Sequence, residues 1–198
     1  MFEREEVSVL KDEFTQIKVF PGRKGVRYKN PTSYPFIGRG YSGAVFKLSS
    51  TKCVKIFLSE KKCKMEEKAL NMGKGSPIMP KLYEVGRNYV VMEFIEGHNL
   101  YDYLQKKQKL DDKIAQQILF CLKELKRIKF TRLNIHLRHF IVTGDKKLRV
   151  IDHAHAFKNS ELKPKHLMKQ MEKLGLLKEF LDYVKMNSPK KYNEWVQE

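Results

Sequence analysis

The stretch Gly38-Arg-Gly40-Tyr-Ser-Gly43 limits the folds open to this chain more than any other, because it runs straight into Ala44-Val-Phe-Lys-Leu48. Glycine lets a backbone turn without steric cost and approach a phosphate closely. Alone, a G-x-G-x-x-G spacing is a weak signal, compatible with a dinucleotide-binding turn, a phosphate-covering lid or an ordinary hairpin. A dinucleotide-binding turn requires a helix directly after the third glycine, and Ala44–Leu48 reads as a strand instead. A P-loop is excluded, since no Gly-Lys-Ser/Thr follows. The glycines are therefore expected at the tip of a β-hairpin.

The texture around that hairpin is β. Thr15-Gln-Ile-Lys-Val-Phe20 alternates apolar Ile17 and Val19 before a Pro21-Gly22 turn. Short extended pieces recur from Tyr34 to Phe57. Residues 59–72 read as a helix ended by Gly73, and residues 81–94 return to strands with a turn at 86–88. The second half is different. A short helix is expected near Leu100–Gln105, and a longer one after the N-cap candidate Asp111, with Ile114, Ile118, Cys121, Leu122, Leu125 and Ile128 on one face. Phe140–Val142 and Leu148–Ile151 form a small hairpin across Gly144-Asp145. The tail is helical, with a break at Gly175 and a stripe of Leu177, Phe180, Leu181 and Val184. Strands first and helices afterwards predict an α+β chain of two lobes. The expected division is an extension over 1–30, a β-rich lobe over 31–95 and a mainly helical lobe over 96–198.

Composition excludes several classes. With 41% hydrophobic and 32% charged residues, the 198-residue chain is neither disordered nor membrane-embedded. No apolar run approaches the roughly 20 residues of a membrane span, and the polar start predicts no signal peptide. Cys53, Cys63 and Cys121 are odd in number and form no C-x-x-C pair, so reduced thiols in a cytoplasmic protein are expected. The formal charge of +17 favours polyanionic partners, nucleic acid among them, or a solvated lysine-rich surface.

The glycine loop is followed in order by further pieces. Lys55 lies in Cys53-Val-Lys-Ile, on the next predicted strand. Glu66 and Glu67 lie on the next helix, and Glu66 is favoured as a lysine partner because it shares a face with Leu70. Val91-Met92-Glu93-Phe-Ile-Glu-Gly97 is a strand running into a glycine. In this order, over roughly residues 34–157, the chain resembles the protein-kinase superfamily. The resemblance implies a β-rich lobe and a helical lobe with ATP between them, and a serine/threonine-protein-kinase-like phosphotransferase. Gly38, Gly40 and Gly43 would cover the phosphates, and Lys55, held by Glu66, would contact them. Val45, Cys53 and Ile141 would sandwich the adenine. Met92 would stand at the gatekeeper place, and Glu93 in the hinge.

The family pattern then breaks. Its H-R-D-x-x-x-x-N segment and later D-F-G correspond, without a gap, to Arg132-Leu-Asn134-Ile-His136-Leu-Arg-His139 and Asp152-His-Ala154. Asp152 would hold Mg²⁺. The base aspartate is replaced by Asn134, which cannot take a proton near neutral pH. The second metal position is His139, a poor ligand for Mg²⁺. His136 sits where small-molecule kinases with D-x-H-x-x-N loops carry histidine. After Asp152 no A-P-E segment is found, so a short second lobe lacking the usual peptide platform is expected. Similar economy occurs in small atypical kinases linked to ribosome assembly and tRNA modification. Three functions follow: a weak Mg-ATP phosphotransferase acting on a protein or other acceptor, a pseudokinase scaffold that binds nucleotide without turnover, and an RNA- or ribosome-associated basic protein.

Overall fold

The computed structural model describes residues 13–157 and 160–196. Among the described residues, ten strands and six α-helices follow each other in the order β1–β5, α1, β6–β8, α2, α3, β9, β10, α4–α6. They fall into two compact units. Of the described residues, one comprises those up to Asn71 together with Lys81–Phe94, and the other comprises Met72–Pro80 together with those from Ile95 onward. The architecture is α+β, with sheet in the N-terminal region and helices in the C-terminal part.

The first unit is built on an antiparallel five-stranded sheet in the order β3-β4-β5-β7-β6. Its strands are β3 Phe36–Arg39, β4 Gly43–Lys47, β5 Lys52–Phe57, β6 Leu82–Val85 and β7 Tyr89–Glu93. β5 is buried along nearly its whole length because β4 and β7 flank it. A separate two-stranded ribbon pairs β1 Lys18–Phe20 with β2 Arg27–Lys29. The strand expected over 15–20 is shorter than its apolar alternation suggests, because Glu13–Gln16 close a helical turn through Gln16 N–H to the Glu13 carbonyl. The alternation still sets the packing. Ile17 is buried, Val19 is half-buried, and both join a core of Phe14, Val26, Ala44, Phe46, Val54 and Ile56. The described part of the N-terminal segment is thus a layer of this unit. Helix α1, Glu60–Met72, buries Cys63, Glu66, Ala69 and Leu70 on one face.

In the second unit, α2 Leu100–Lys107 is capped by the Asn99 side chain accepting from Asp102 N–H at 3.0 Å. Helix α3, Asp112–Arg127, starts at Asp111, whose backbone carbonyl accepts from Ile114 and Ala115 while its side chain makes no cap bond. The predicted apolar stripe of α3 is buried throughout. A small sheet in the order β10-β9-β8 joins β8 His98–Asn99, β9 Phe140–Val142 and β10 Leu148–Val150. In the β9–β10 turn the left-handed residue is Lys146 (φ 59°), not Gly144. Helices α4 Lys165–Lys173, α5 Leu177–Asn187 and α6 Pro189–Val196 complete the unit. Gly175 takes φ 73° between α4 and α5, which is why the chain breaks there. Residues 72–80 belong here through hydrogen bonds: Ser76 Oγ to Glu124 at 2.9 Å, Val150 N–H to Ile78 at 2.8 Å and Arg149 Nη2 to Met79 at 2.7 Å.

Candidate functional site

The glycine hairpin separates its three glycines by role. β3 and β4 pair Gly38 with Val45 and Arg39 with Ala44, and Gly40 N–H closes the tip on the Gly43 carbonyl at 3.0 Å. Gly43 is required by packing alone, since a Cβ there would lie 2.2 Å from the Ile56 carbonyl oxygen. At Gly38 and Gly40 a Cβ would meet nothing within 4 Å, and neither has a left-handed φ. The fold itself therefore asks for no glycine at these two positions.

The loop is fastened from behind. Val26 N–H donates to the Gly40 carbonyl at 2.8 Å, and Arg39 Nη1 donates to the Val26 carbonyl at 3.3 Å. Gly25, at φ 94°, lies so close that a Cβ would sit 3.0 Å from the Gly40 oxygen. These contacts were not read from the sequence, although the Pro21-Gly22-Arg-Lys-Gly25 turn was a visible signal.

Lys55 stands on β5 opposite Val45 and Val90. It is 5% exposed, and its Nζ lies 2.9 Å from Glu66 Oε2, while Glu66 is fully buried. Helix α1 aims Glu66 here because Cys63, one turn earlier, packs against β7, with its thiol donating to the Tyr89 carbonyl at 3.4 Å. Glu67 is not the partner in this ion pair. Cys53 and Met92 are cross-strand neighbours, both buried, and Val45 is half-buried on β4. Burial pushes the Cys53 thiol up to about 12, which keeps it protonated near neutral pH. Glu93 is tied at both ends to Lys81, through its backbone N–H to the Lys81 carbonyl at 2.8 Å and its carboxylate to Lys81 N–H at 3.0 Å. Phe94 N–H is likewise engaged, by Thr51.

In the second unit, Asn134 is 6% exposed, and its Oδ1 accepts the backbone N–H of His166 at 2.6 Å. His166 is in the first turn of α4, so Asn134 serves as a helix cap supplied from a distant segment. The His136 ring stacks on the His166 ring at 4.4 Å and 11°, and the His139 ring lies 5.4 Å away. Gln170 Oε1 accepts Leu137 N–H at 2.8 Å. Helix α4 is thereby latched onto the segment that carries Asn134 and His136. Among the described residues, Nδ1 of His136 is buried without a hydrogen-bond partner. Burial holds the pKa of His136 below its ordinary value, with His166 and Arg138 acting in the same direction and Gln170 against them. Nothing in the sequence marked His166 or Gln170, which lie more than thirty positions from their partners.

Asp152 ends the β9–β10 hairpin at φ 64°, an uncommon conformation for a residue other than glycine. Its Oδ2 lies 3.7 Å from His139 Nε2. Ile141, half-buried on β9, pairs with Asn99 and Arg149. Gly97 makes room for that strand, since a Cβ there would lie 2.2 Å from the Val142 oxygen. A single carboxylate such as Asp152 fits Mg²⁺, which keeps several waters and takes further oxygens from phosphates. His139 does not fit that preference, and its nitrogen faces the Asp152 carboxylate as a partner. Among the described residues no group of three or more His, Cys, Asp or Glu is placed to hold a metal.

No family model matches the chain. A Bacillus subtilis (strain 168) protein named "Putative serine/threonine-protein kinase YrzF" is 32% identical over 121 residues, covering 59% of this chain and 56% of its own. The chain thus spans little more than half the length of that curated relative. A solved structure of the Cydia pomonella granulovirus kinase PK-1 superposes with a TM-score of 0.49 at 13% identity, covering 76% of this chain and 56% of the other. With its strand-built N-terminal region, its helical C-terminal part and its sequence likeness to the Bacillus protein, the chain has a protein-kinase-like fold.

Proposed function

We propose that this chain binds Mg-ATP and acts as a kinase-like protein with slow phosphoryl transfer. The buried Lys55–Glu66 pair carries this reading. Removing two charges from water costs several kcal/mol per ion, and such a pair rarely returns that as stability. A lysine buried on a central strand and steered by a helix glutamate is what positioning of phosphates requires. In the first unit, Gly38, Gly40 and Gly43 would cover the phosphates, Lys55 would neutralise them, and Val45, Cys53 and Met92 would line the base, with Glu93 at its edge. In the second unit, Ile141 would offer an apolar side chain suited to a base, and Asp152 a carboxylate suited to Mg²⁺. The cation would add charge neutralisation at the phosphates. Buried thiols and the use of ATP suit a cytoplasmic protein.

On the acceptor side the chemistry is weak. Asn134 cannot accept a proton, and its oxygen already holds α4. His136, kept neutral by burial, would be left to orient an acceptor hydroxyl. General-base loss costs about 10²–10⁴-fold, so transfer by positioning and charge alone stays measurable. The Asn134–His166 bond favours a second reading, a pseudokinase scaffold whose α4 segment closes over the degenerate loop. Transfer of γ-phosphate from Mg-ATP to the protein and to water, beside Asp152→Ala, separates the two. Turnover abolished by that substitution supports the transferase. Calorimetric Mg-ATP binding without turnover supports the scaffold. Absence of both refutes nucleotide binding.

A further inference from the structure

Between Glu13 and Glu60 the chain contains no aspartate or glutamate, while lysines and arginines recur throughout. That stretch begins with the β1–β2 ribbon. Its inner face is apolar, with Val19 and Tyr28 packed on the core. Its outer face carries Lys18, Phe20, Arg27 and Lys29, all exposed, and the turn adds exposed Arg23 and Lys24. The register sets Lys18 directly opposite Lys29, and Phe20 opposite Arg27.

Like charges opposed across an antiparallel pair are destabilising, and no acidic side chain among the described residues relieves this one. Elsewhere cations sit beside acids: Lys64 with Glu60, Arg127 with Glu124, Lys147 with Asp145, Lys178 with Asp182. Among the described residues, none of Lys18, Arg23, Lys24, Arg27 or Lys29 has such a partner. A lysine-rich surface that served solubility alone would intersperse the two signs. This ribbon segregates them, at some cost to its own pairing.

We propose that the outer face of the β1–β2 ribbon binds a single-stranded nucleic acid. Outward side chains recur at every second residue, roughly 7 Å apart along a strand, a spacing comparable to that of successive phosphates in an extended polynucleotide. Phe20, 40% exposed and set among the cations, offers the π face on which bases stack. A carboxylate-rich peptide has no use for that ring. A duplex hides the faces of its bases, and a bilayer requires more apolar surface than one ring on a flat ribbon. The Arg27 Nε–H bond to the Pro21 carbonyl, at 3.2 Å, fixes the ribbon's turn and the line of charge. The proposal does not depend on ATP binding.

The test is fluorescence anisotropy of a labelled oligouridylate against the full chain, over a salt series. Lys18→Glu/Arg27→Glu/Lys29→Glu is expected to weaken binding about tenfold or more and to flatten the log–log salt slope by about 2, the value for three lost phosphate contacts on a single strand. Phe20→Ala is expected to weaken binding about fivefold or more with the slope unchanged. Arg23→Gln/Lys24→Gln repeats the charge test at the turn without touching the strands. The charge-matched control is Lys106→Glu/Lys107→Glu/Lys109→Glu, exposed positions in and after α2. The proposal is overturned if the wild-type chain ignores the oligonucleotide, if the ribbon variants lose no more than the control, or if polyglutamate or anionic vesicles compete as well as the oligonucleotide itself.

Discussion

Lys55 and Glu66 each need the other. Removing one partner of a buried pair leaves a stranded charge, so Glu66→Ala is expected to cost about 3–5 kcal/mol of stability by denaturant unfolding. Lys55→Met/Glu66→Leu replaces both with apolar groups of similar size and is expected to recover most of that loss while abolishing nucleotide binding. A pair kept for stability alone would show neither the recovery nor the functional loss. Asn134 makes a different prediction. Asn134→Ala deletes the cap on α4 and is expected to cost about 1–2 kcal/mol, whereas Asn134→Asp keeps the acceptor and favours the helix N-terminus. If the remaining machinery is competent, Asn134→Asp also raises phosphoryl transfer. His136 ties stability to pH. Its pKa is held below the unfolded value, so the unfolded chain binds more protons as pH falls below about 6.5. Its contribution is present above that pH and declines toward the depressed folded value, and in His136→Gln this part of the pH dependence is expected to vanish from unfolding midpoints. Lys55 and its candidate partner were legible from the sequence because both lie on short, regular elements. The cap role of Asn134 was not, because its partner His166 is brought in by tertiary packing of α4.

The glycine hairpin allows fold and function to be separated within one element. Gly43→Ala forces a Cβ against the Ile56 carbonyl and is expected to destabilise the sheet measurably. Gly38→Ala meets open space at an ordinary φ, so it is expected to leave stability unchanged or raise it by about 0.4–1 kcal/mol. The same substitution is expected to weaken ATP binding, since it places a methyl where a phosphate would approach. Thermal unfolding and calorimetry on the two variants check this contrast. Strand and helix periods were readable where one face is buried, as in α3 and in the alternation of Ile17 and Val19. The five-stranded order β3-β4-β5-β7-β6 was not readable, nor the fastening of the loop by Val26, because both depend on contacts between segments that share no local pattern.

At the scale of the molecule, the assignment of residues 72–80 to the helical unit was also hidden from the sequence. No periodicity marks them, and they are held by Ser76, Ile78 and Met79 bonding to α3 and β10. The charge of +17 was plain in the composition, but the alignment of Lys18, Arg27 and Lys29 on one face of a ribbon required the register of β1 and β2. No helix among the described residues is long and apolar enough to cross a membrane. A ligand that binds only the folded chain raises its unfolding temperature, with a stabilisation that grows as the logarithm of ligand concentration above Kd, so Mg-ATP is expected to stabilise the wild-type chain. The decisive measurement is a calorimetric titration of Mg-ATP into the wild-type chain and into Lys55→Met/Glu66→Leu. Saturable binding to the first and none to the second, with both folded, is the predicted result. No binding to the wild type, or equal binding to both, would contradict the assignment of Lys55 and Glu66 to a nucleotide site.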